Sequence, residues 1–419
     1  MRNIVLVTID SLRADHCGFM GYGKDTTPTL DRMAEEGLVF ENAIAPAPFT
    51  EDSISAMFTG ECPIRDTRDS SLGNTIRSHV ARRGSIPQTL SEEGYATAGY
   101  SPNPHASRQF GLDKGFDKYR DFLSDRNSPE ILRTMFSRFR NGDMVECLRL
   151  GANMAGLNIP GFGNQSIPVR AYYDEILDWV SRTTEPFFLW MFPLEVHSPY
   201  RPTCRFRGIP FYEMLRLNLV RSSMIDRSPT TEETLKLVRL YDGTIKQIDE
   251  VISQLESDLG TFDPVFIVTS DHGEAFNEHG NFGHNNDLYE ENIHVPLLVS
   301  GIEQSGRISE PISLRKLPEI VSDLTKRSPF EWKHLTGSEV DSRVQKKKIG
   351  IRSKCWKYIV SPESSEYYDL SEDPIENHSD ASDANQRGVK RSVRLTEDIR
   401  ERQLIGRTAE ELDPEADRL

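Results

Sequence analysis

Five short runs in this 419-residue chain are apolar almost without interruption. They are Asn3–Ile9 (NIVLVTI), Tyr95–Ser101 (YATAGYS), Phe187–Pro193 (FFLWMFP), Pro264–Ser270 (PVFIVTS) and Val295–Gly301 (VPLLVSG). A strand with one wet face alternates apolar and polar residues. A continuous run of this length is covered on both faces, as in a parallel sheet between helices. Helical patterns fall between the runs. Thr27–Gly37 (TPTLDRMAEEG) opens on a helix-start Thr, spaces its apolar residues helically and closes on Gly. Ser85–Gly94 and Thr234–Gly260 behave likewise. The alternation predicts an α/β fold: a large, mostly parallel sheet sandwiched by helices.

Two polar, Arg-rich, partly helical segments break the rhythm, near 120–168 and 201–231. Insertions of that size shape or cover a substrate entrance. Near residue 305 the character changes. Lys348–Pro374 reads as short antiparallel strands with turns, a smaller C-terminal subdomain. The expected organisation is a catalytic domain over 1–304, a subdomain over 305–378 and a polar tail over 379–419 with one helix.

In parallel sheets, ligands bind beyond the carboxyl ends of the strands. The first run ends in Asp10, the third leads to Glu195 and His197, and the fourth ends in Asp271 and His272, with His284 in the next loop. Taken singly, such an Asp is more often a helix cap and such a His a solvated loop residue. Two buried-strand ends that both carry acids form a stronger pattern. Carboxylates plus imidazole suit one divalent metal (Ca, Mn, Mg or Zn), and Glu195, His197 and His284 offer ligands for a second. Ala45–Gly60 (APAPFTEDSISAMFTG) is extended and then helical, which puts Thr50 and Asp52 at a helix N-terminus. Backbone N–H groups there favour an anion, and a hydroxyl beside a metal can attack phosphorus or sulfur. The plain alternative is that Thr50 or Asp52 is only an N-cap.

Formal net charge is -15, and the 50 basic residues divide into 36 Arg and 14 Lys. With no excess of cations to neutralise phosphates, nucleic acid is not an expected partner. The Arg-rich, acidic balance suits a high-salt cytoplasm, and GC-rich coding also produces it. The five cysteines form no CxxC pair. The first apolar run is too short for a secretory segment, and no run approaches a membrane span. A soluble, reducing, cytoplasmic setting is expected. Oligomeric state is left open.

These stretches together resemble the sulfatases of the alkaline phosphatase superfamily. Asn3–Pro48 is similar to the family's N-terminal signature, and Phe49–Pro63 occupies the place of its nucleophile motif. Ser85–Pro104 and Phe110–Tyr119 match the next blocks. LEVHSPY, TSDHGEAFNEHG and LYEENIHVPLLVSG follow in order, and WKYI with EYYDLSEDPIEN resembles the C-terminal signature. The resemblance implies metal ligands at Asp10, Asp271 and His272, and a nucleophile that also touches the metal at Thr50. It places His197 and His284 against the sulfuryl or phosphoryl oxygens or the leaving group. Ser11 stands where many sulfatases have a second Asp, and His284 where many have Lys.

The chain departs from the family at the nucleophile. Sulfatases that mature this residue need Cys or Ser, then Pro two and Arg four positions later. Here the line reads Thr50, Glu51, Asp52, Ser53, Ile54. Thr cannot become formylglycine, whose hydrate expels sulfate by collapsing to the aldehyde. A phosphoryl-threonine can instead be displaced by water. The expected function is therefore a metal-dependent hydrolase of sulfate or phosphate esters of a small molecule, glycan or lipid, acting through Thr50. The alternatives are a phosphodiesterase or phosphotransferase of the same superfamily, or a degenerate binding protein without turnover.

Overall fold

The computed structural model describes residues 1–64, 71–123, 167–183, 186–222, 227–284, 286–326, 329–344, 348–379 and 394. Most of the expected 120–168 insertion and nearly all of the 379–419 tail lie outside the described residues.

The apolar runs become strands β1 (Ile4–Thr8), β4 (Ala96–Tyr100), β6 (Phe187–Met191), β7 (Val265–Thr269) and β11 (Leu297–Ser300). With β2 (Leu38–Phe40), β5 (Lys118–Arg120) and β12 (Gly306–Ile308) they form one eight-stranded sheet, in the order β12-β2-β11-β7-β1-β6-β4-β5. β1 pairs in parallel with β7 (Ile4 opposite Val265, Thr8 opposite Thr269) and with β6 (Ile4 opposite Phe188). β4 joins β6 in parallel, so four strand ends open on one edge.

Alternate residues of each strand feed two separate cores. Ile4, Leu6, Phe188, Trp190 and Ile267 pack on one face, with Ile54, Met57 and Phe58 of helix α2 (Thr50–Thr59). Val5, Val7, Leu189 and Val268 pack on the other, with α1 (Pro28–Glu36) and Leu237, Leu240, Ile245 and Ile252 of the long helix Thr231–Leu259. That helix starts at a reciprocal cap: Thr230 accepts from the Glu233 N–H while Glu233 accepts from the Thr230 N–H.

One expectation is corrected. The run Val295–Gly301 is not a parallel strand: β11 lies antiparallel to both β7 and β2. A parallel neighbour needs a crossover back to the opposite edge of the sheet. The segment between β7 and β11 instead stays at the carboxyl edge. There it forms a hairpin of β8 (Ala275–Phe276) and β9 (Phe282–Gly283), and then the short helix Glu290–Ile293. The chain therefore re-enters the sheet from that edge and runs backwards.

The segment 201–231, expected as an insertion, carries helices Cys204–Arg207 and Phe211–Arg221; the second buries Met214, Leu217 and Val220. The C-terminal part is a four-stranded antiparallel meander: β14 (Glu339–Val344), β15 (Lys348–Ser353), β16 (Trp356–Val360) and β17 (Ser365–Asp369). Among the described residues no helix is long and apolar enough to cross a membrane.

Candidate active site and metal centre

Asp10 and Asp271 each lie two residues beyond a central parallel strand, and both are fully buried. Ser11, between Asp10 and Leu12, takes a left-handed backbone (φ 62), a conformation that a non-glycine residue adopts at some cost. That turn lets Ser11 serve both acids. Its hydroxyl donates to Asp10 Oδ1 at 2.9 Å, and its backbone N–H donates to Asp271 Oδ1 at 3.2 Å. Ser11 thus acts as a clip between the two carboxylates.

His272 donates through Nδ1 to the Gly273 carbonyl at 2.9 Å, which leaves Nε2 as a bare lone pair aimed inward. Nε2 lies 3.3 Å from Asp271 Oδ2 and 3.3 Å from Thr50 Oγ1. Gly273 must be Gly: a Cβ there would sit 2.1 Å from the Glu291 carbonyl oxygen. Thr50 is the first residue of α2; Phe49 is its N-cap and makes no side-chain cap bond. The N-cap reading of Thr50 therefore does not hold. The Thr50 side chain points to the acids, and Ser53, one turn on, donates to the Asp271 carbonyl at 2.6 Å.

One atom each of Asp10, Asp271 and His272 lies within 4.8 Å of the others, the one such grouping among the described residues. Burial, then the charge of Asp271, raises the Asp10 pKa; burial pushes Asp271 up to about 6. Burial, reinforced by His284, pushes His272 down to about 3, so its ring is neutral. Asp271 Oδ2 is buried and accepts no hydrogen bond. Two buried carboxylates, a neutral imidazole lone pair and an orphaned oxygen are what a divalent cation would satisfy, so these residues fit the metal.

His197 and His284 close the other side. Their ring centroids are 5.1 Å apart, and that of His284 lies 4.3 Å from His272. Burial lowers the His197 pKa, and its Nδ1 lies 2.6 Å from the Ser198 carbonyl. His284 is held above its ordinary value: burial opposes this, but Glu274, 3.7 Å from its Nδ1, outweighs it. Glu274 is itself fully buried and kept well below the usual carboxylate range by Arg221, 3.0 Å away, against the effect of burial.

Glu195 does not join them. Its Oε1 accepts from the Val169 backbone N–H at 2.6 Å. Glu195, His197 and His284, offered by the sequence as ligands of a possible second metal, are not gathered into one set among the described residues.

Three contributors escaped the sequence reading. Asn103 follows β4, and its Nδ2 lies 2.6 Å from Asp10 Oδ2 and 3.5 Å from Thr50 Oγ1. The strand-end rule that found the acids also reaches Asn103, but a neutral amide carries no metal signal. Glu274 stands two residues after His272, where spacing alone does not separate a site acid from a loop acid. Arg221 comes from the insertion, where one Arg among many has no pattern to single it out.

A family model described as Sulfatase matches residues 2–326. The chain belongs to the sulfatase family. It is 25% identical over 330 residues to the arylsulfatase of Clostridium perfringens, covering 71% of this chain and 68% of that one. It is 26% identical over 297 residues to human N-acetylgalactosamine-6-sulfatase, covering 65% and 50%. The chain thus spans about two thirds and half of these two sulfatases. The phosphonate monoester hydrolase of Agrobacterium radiobacter superposes with a TM-score of 0.62 at 18% identity, over 96% of both chains, a likeness of fold. The sulfatase family depends on a divalent metal, and the Asp10, Asp271 and His272 cluster is consistent with such a site.

Proposed function

We propose that the chain hydrolyses sulfate or phosphate esters with Thr50 as nucleophile. In this reading Asp10, Thr50, Asp271 and His272 hold one divalent cation, and His197 and His284 serve the reacting group. The supporting observation is the Thr50 hydroxyl 3.3 Å from His272 Nε2, beside two buried carboxylates. A divalent cation (Ca, Mn, Mg or Zn) bound there would supply positive charge for the nucleophilic oxygen and the oxygens in transfer.

Thr50 Oγ1 gives up its proton to solvent and attacks sulfur or phosphorus; that bond forms as the bond to the leaving alcohol breaks. The Asn103 amide, facing Oγ1, can donate to it, which favours the hydroxyl in its deprotonated form. His284, whose pKa Glu274 raises against the effect of burial, gives its proton to the departing alcohol. His197, with Nδ1–H on the Ser198 carbonyl, keeps Nε2 to take a proton as water displaces the group from Thr50.

Thr limits the second step. A threonyl sulfate has no aldehyde to collapse to, whereas a threonyl phosphate can be displaced at phosphorus. This favours phosphoryl substrates, and with them a phosphodiesterase or phosphotransferase reading in which an alcohol replaces water. The relatives are named for arylsulfate and N-acetylgalactosamine 6-sulfate chemistry. We extend the substrate class to small-molecule, glycan or lipid sulfate and phosphate esters, and place the protein in the cytoplasm, where its acidic, Arg-rich composition suits high salt.

The test is turnover of aryl sulfates, phosphate monoesters and diesters with Mn²⁺, Ca²⁺ or Zn²⁺. Thr50→Ala is expected to abolish chelator-sensitive activity. Undiminished turnover in that variant would refute the nucleophile. Metal binding without turnover in the wild type would instead make the chain a degenerate binder.

A further inference from the structure

Outside the site, a buried ionic cluster joins the C-terminal segment to the segment after His284. Lys357 of β16 is fully buried. Its Nζ lies 2.8 Å from Glu376 Oε1 and 3.2 Å from Glu290 Oε1, and Arg352 holds the other oxygen of Glu290 at 3.1 Å. Two acids meet two bases, so the cluster is balanced; removal of one member would strand a buried charge.

Glu376 does more than balance charge. Its Oε2 accepts from the Glu290 backbone N–H at 2.6 Å, at the start of the short helix Glu290–Ile293. Its carbonyl meets His279 Nε2 at 3.0 Å, and the other ring nitrogen of His279 lies 2.7 Å from Glu291. His279 sits in the turn of the β8–β9 hairpin, whose second strand leads directly into His284. The short helix in turn backs the metal loop: the Asn292 carbonyl accepts from the Gly273 N–H at 2.9 Å.

From these contacts we infer that Glu376 is a positioning residue. Its buried side chain holds the helix that supports His272 and anchors the backbone carbonyl that holds the hairpin presenting His284, and it contributes no atom to the reaction. The inference rests on the ester-hydrolase reading for its effect on turnover, but not for its effect on the hairpin.

The experiment compares backbone hydrogen exchange and steady-state kinetics of the full chain, wild type against Glu376→Ala, with an aryl phosphate diester, an aryl phosphate monoester, an aryl sulfate and Mn²⁺. Exchange is expected to quicken in residues 275–284 and at Gly273 and Asn292, and to stay unchanged in β1 and β7. Misplacement of His284 lowers kcat by about tenfold or more and leaves KM within about twofold. If Glu376→Ala does not fold, Glu376→Gln with Lys357→Met removes one acid and one base together, keeps an acceptor for the Glu290 N–H, and is read the same way against Lys357→Met alone. There the double variant is expected to protect the hairpin better than the single one. Unchanged hairpin exchange in Glu376→Ala, or no recovery in the double variant, overturns the inference. Should the wild type turn over none of these esters, the hydrolase reading falls and exchange alone decides the role of Glu376.

Discussion

Replacing Asp271 by Asn should make the metal-free protein more stable and the metal-loaded protein no more stable than that. Burial pushes the Asp271 carboxyl from 3.8 up to about 6. For an acid the sign is clear. The fold favours the protonated form, so the ionisation penalty is complete above about pH 6 and is relieved as pH falls from there towards the unfolded value. A shift of about two units corresponds to about 3 kcal/mol at pH 8. Asn carries no such penalty. Its Oδ1 can keep the bonds from the Ser11 and His272 N–H groups, and its amide would lie where Oδ2 now faces the bare Nε2 of His272 at 3.3 Å. For a chain of this length about 3 kcal/mol corresponds to a rise of about 3 °C in Tm.

The assay is thermal unfolding near pH 8 in chelator and again with Mn²⁺ in excess. Wild type should gain about 3 kcal/mol when the ion stands near one hundred times its Kd, and Asp271→Asn almost nothing. A variant less stable than wild type in chelator would refute the argument that an uncompensated charge is stored at Asp271. An equal metal increment in both proteins would refute its role as a ligand.

Two further outcomes are expected. Asn103→Ala removes the amide that touches both Asp10 and Thr50, and should lower kcat by about 10²-fold with only a small change in Tm, measured on whichever ester turns over. His79 is buried against Thr59 and the Glu61 carbonyl, and burial pushes it down to about 4. Its contribution to stability should be whole above pH 6.5 and be lost as pH falls towards 4, a difference of about 3 kcal/mol that His79→Gln abolishes in denaturant titrations at the two pH values. Equal pH dependence in the two proteins would contradict this.

The central sheet was legible because burial on both faces leaves an unbroken apolar signature in β1, β4, β6 and β7. Direction is not written in that signature. β11 reads like its neighbours and runs the other way because of what the preceding segment does at the carboxyl edge. The site followed from the strand ends: Asp10, Asp271 and His272 converge because β1 and β7 are adjacent and in register. Thr50 was legible as a helix start, and its aim at His272 follows from α2 packing Ile54 and Met57 on the sheet. Glu195 shows the limit. Next to His197 but one in sequence, it turns to the Val169 backbone, because loop conformation rather than spacing decides where it goes.

The charge of the site narrows the ester it should prefer. Asp10 and Asp271 supply two negative charges, and His272 is neutral. Ser11 adds none, where many sulfatases place another acid. A divalent cation would bring that set to zero. The deprotonated Thr50 oxygen and the protonated His284 cancel, and Glu274 is matched by Arg221. Among these described residues no positive surplus remains to meet a doubly charged group, in surroundings that already disfavour the Asp271 charge. A transferring group with one negative charge, as in a phosphate diester or a sulfate ester, is therefore the better fit. A phosphate monoester, largely dianionic above its second pKa of about 6, fits worse. With matched aryl esters near pH 8, kcat/KM should be highest for the diester, because Thr50 favours phosphorus over sulfur. The monoester should gain on it as pH falls towards 6. A monoester preference of about tenfold or more at pH 8 would show that an unrecognised cation serves the site and would refute this count.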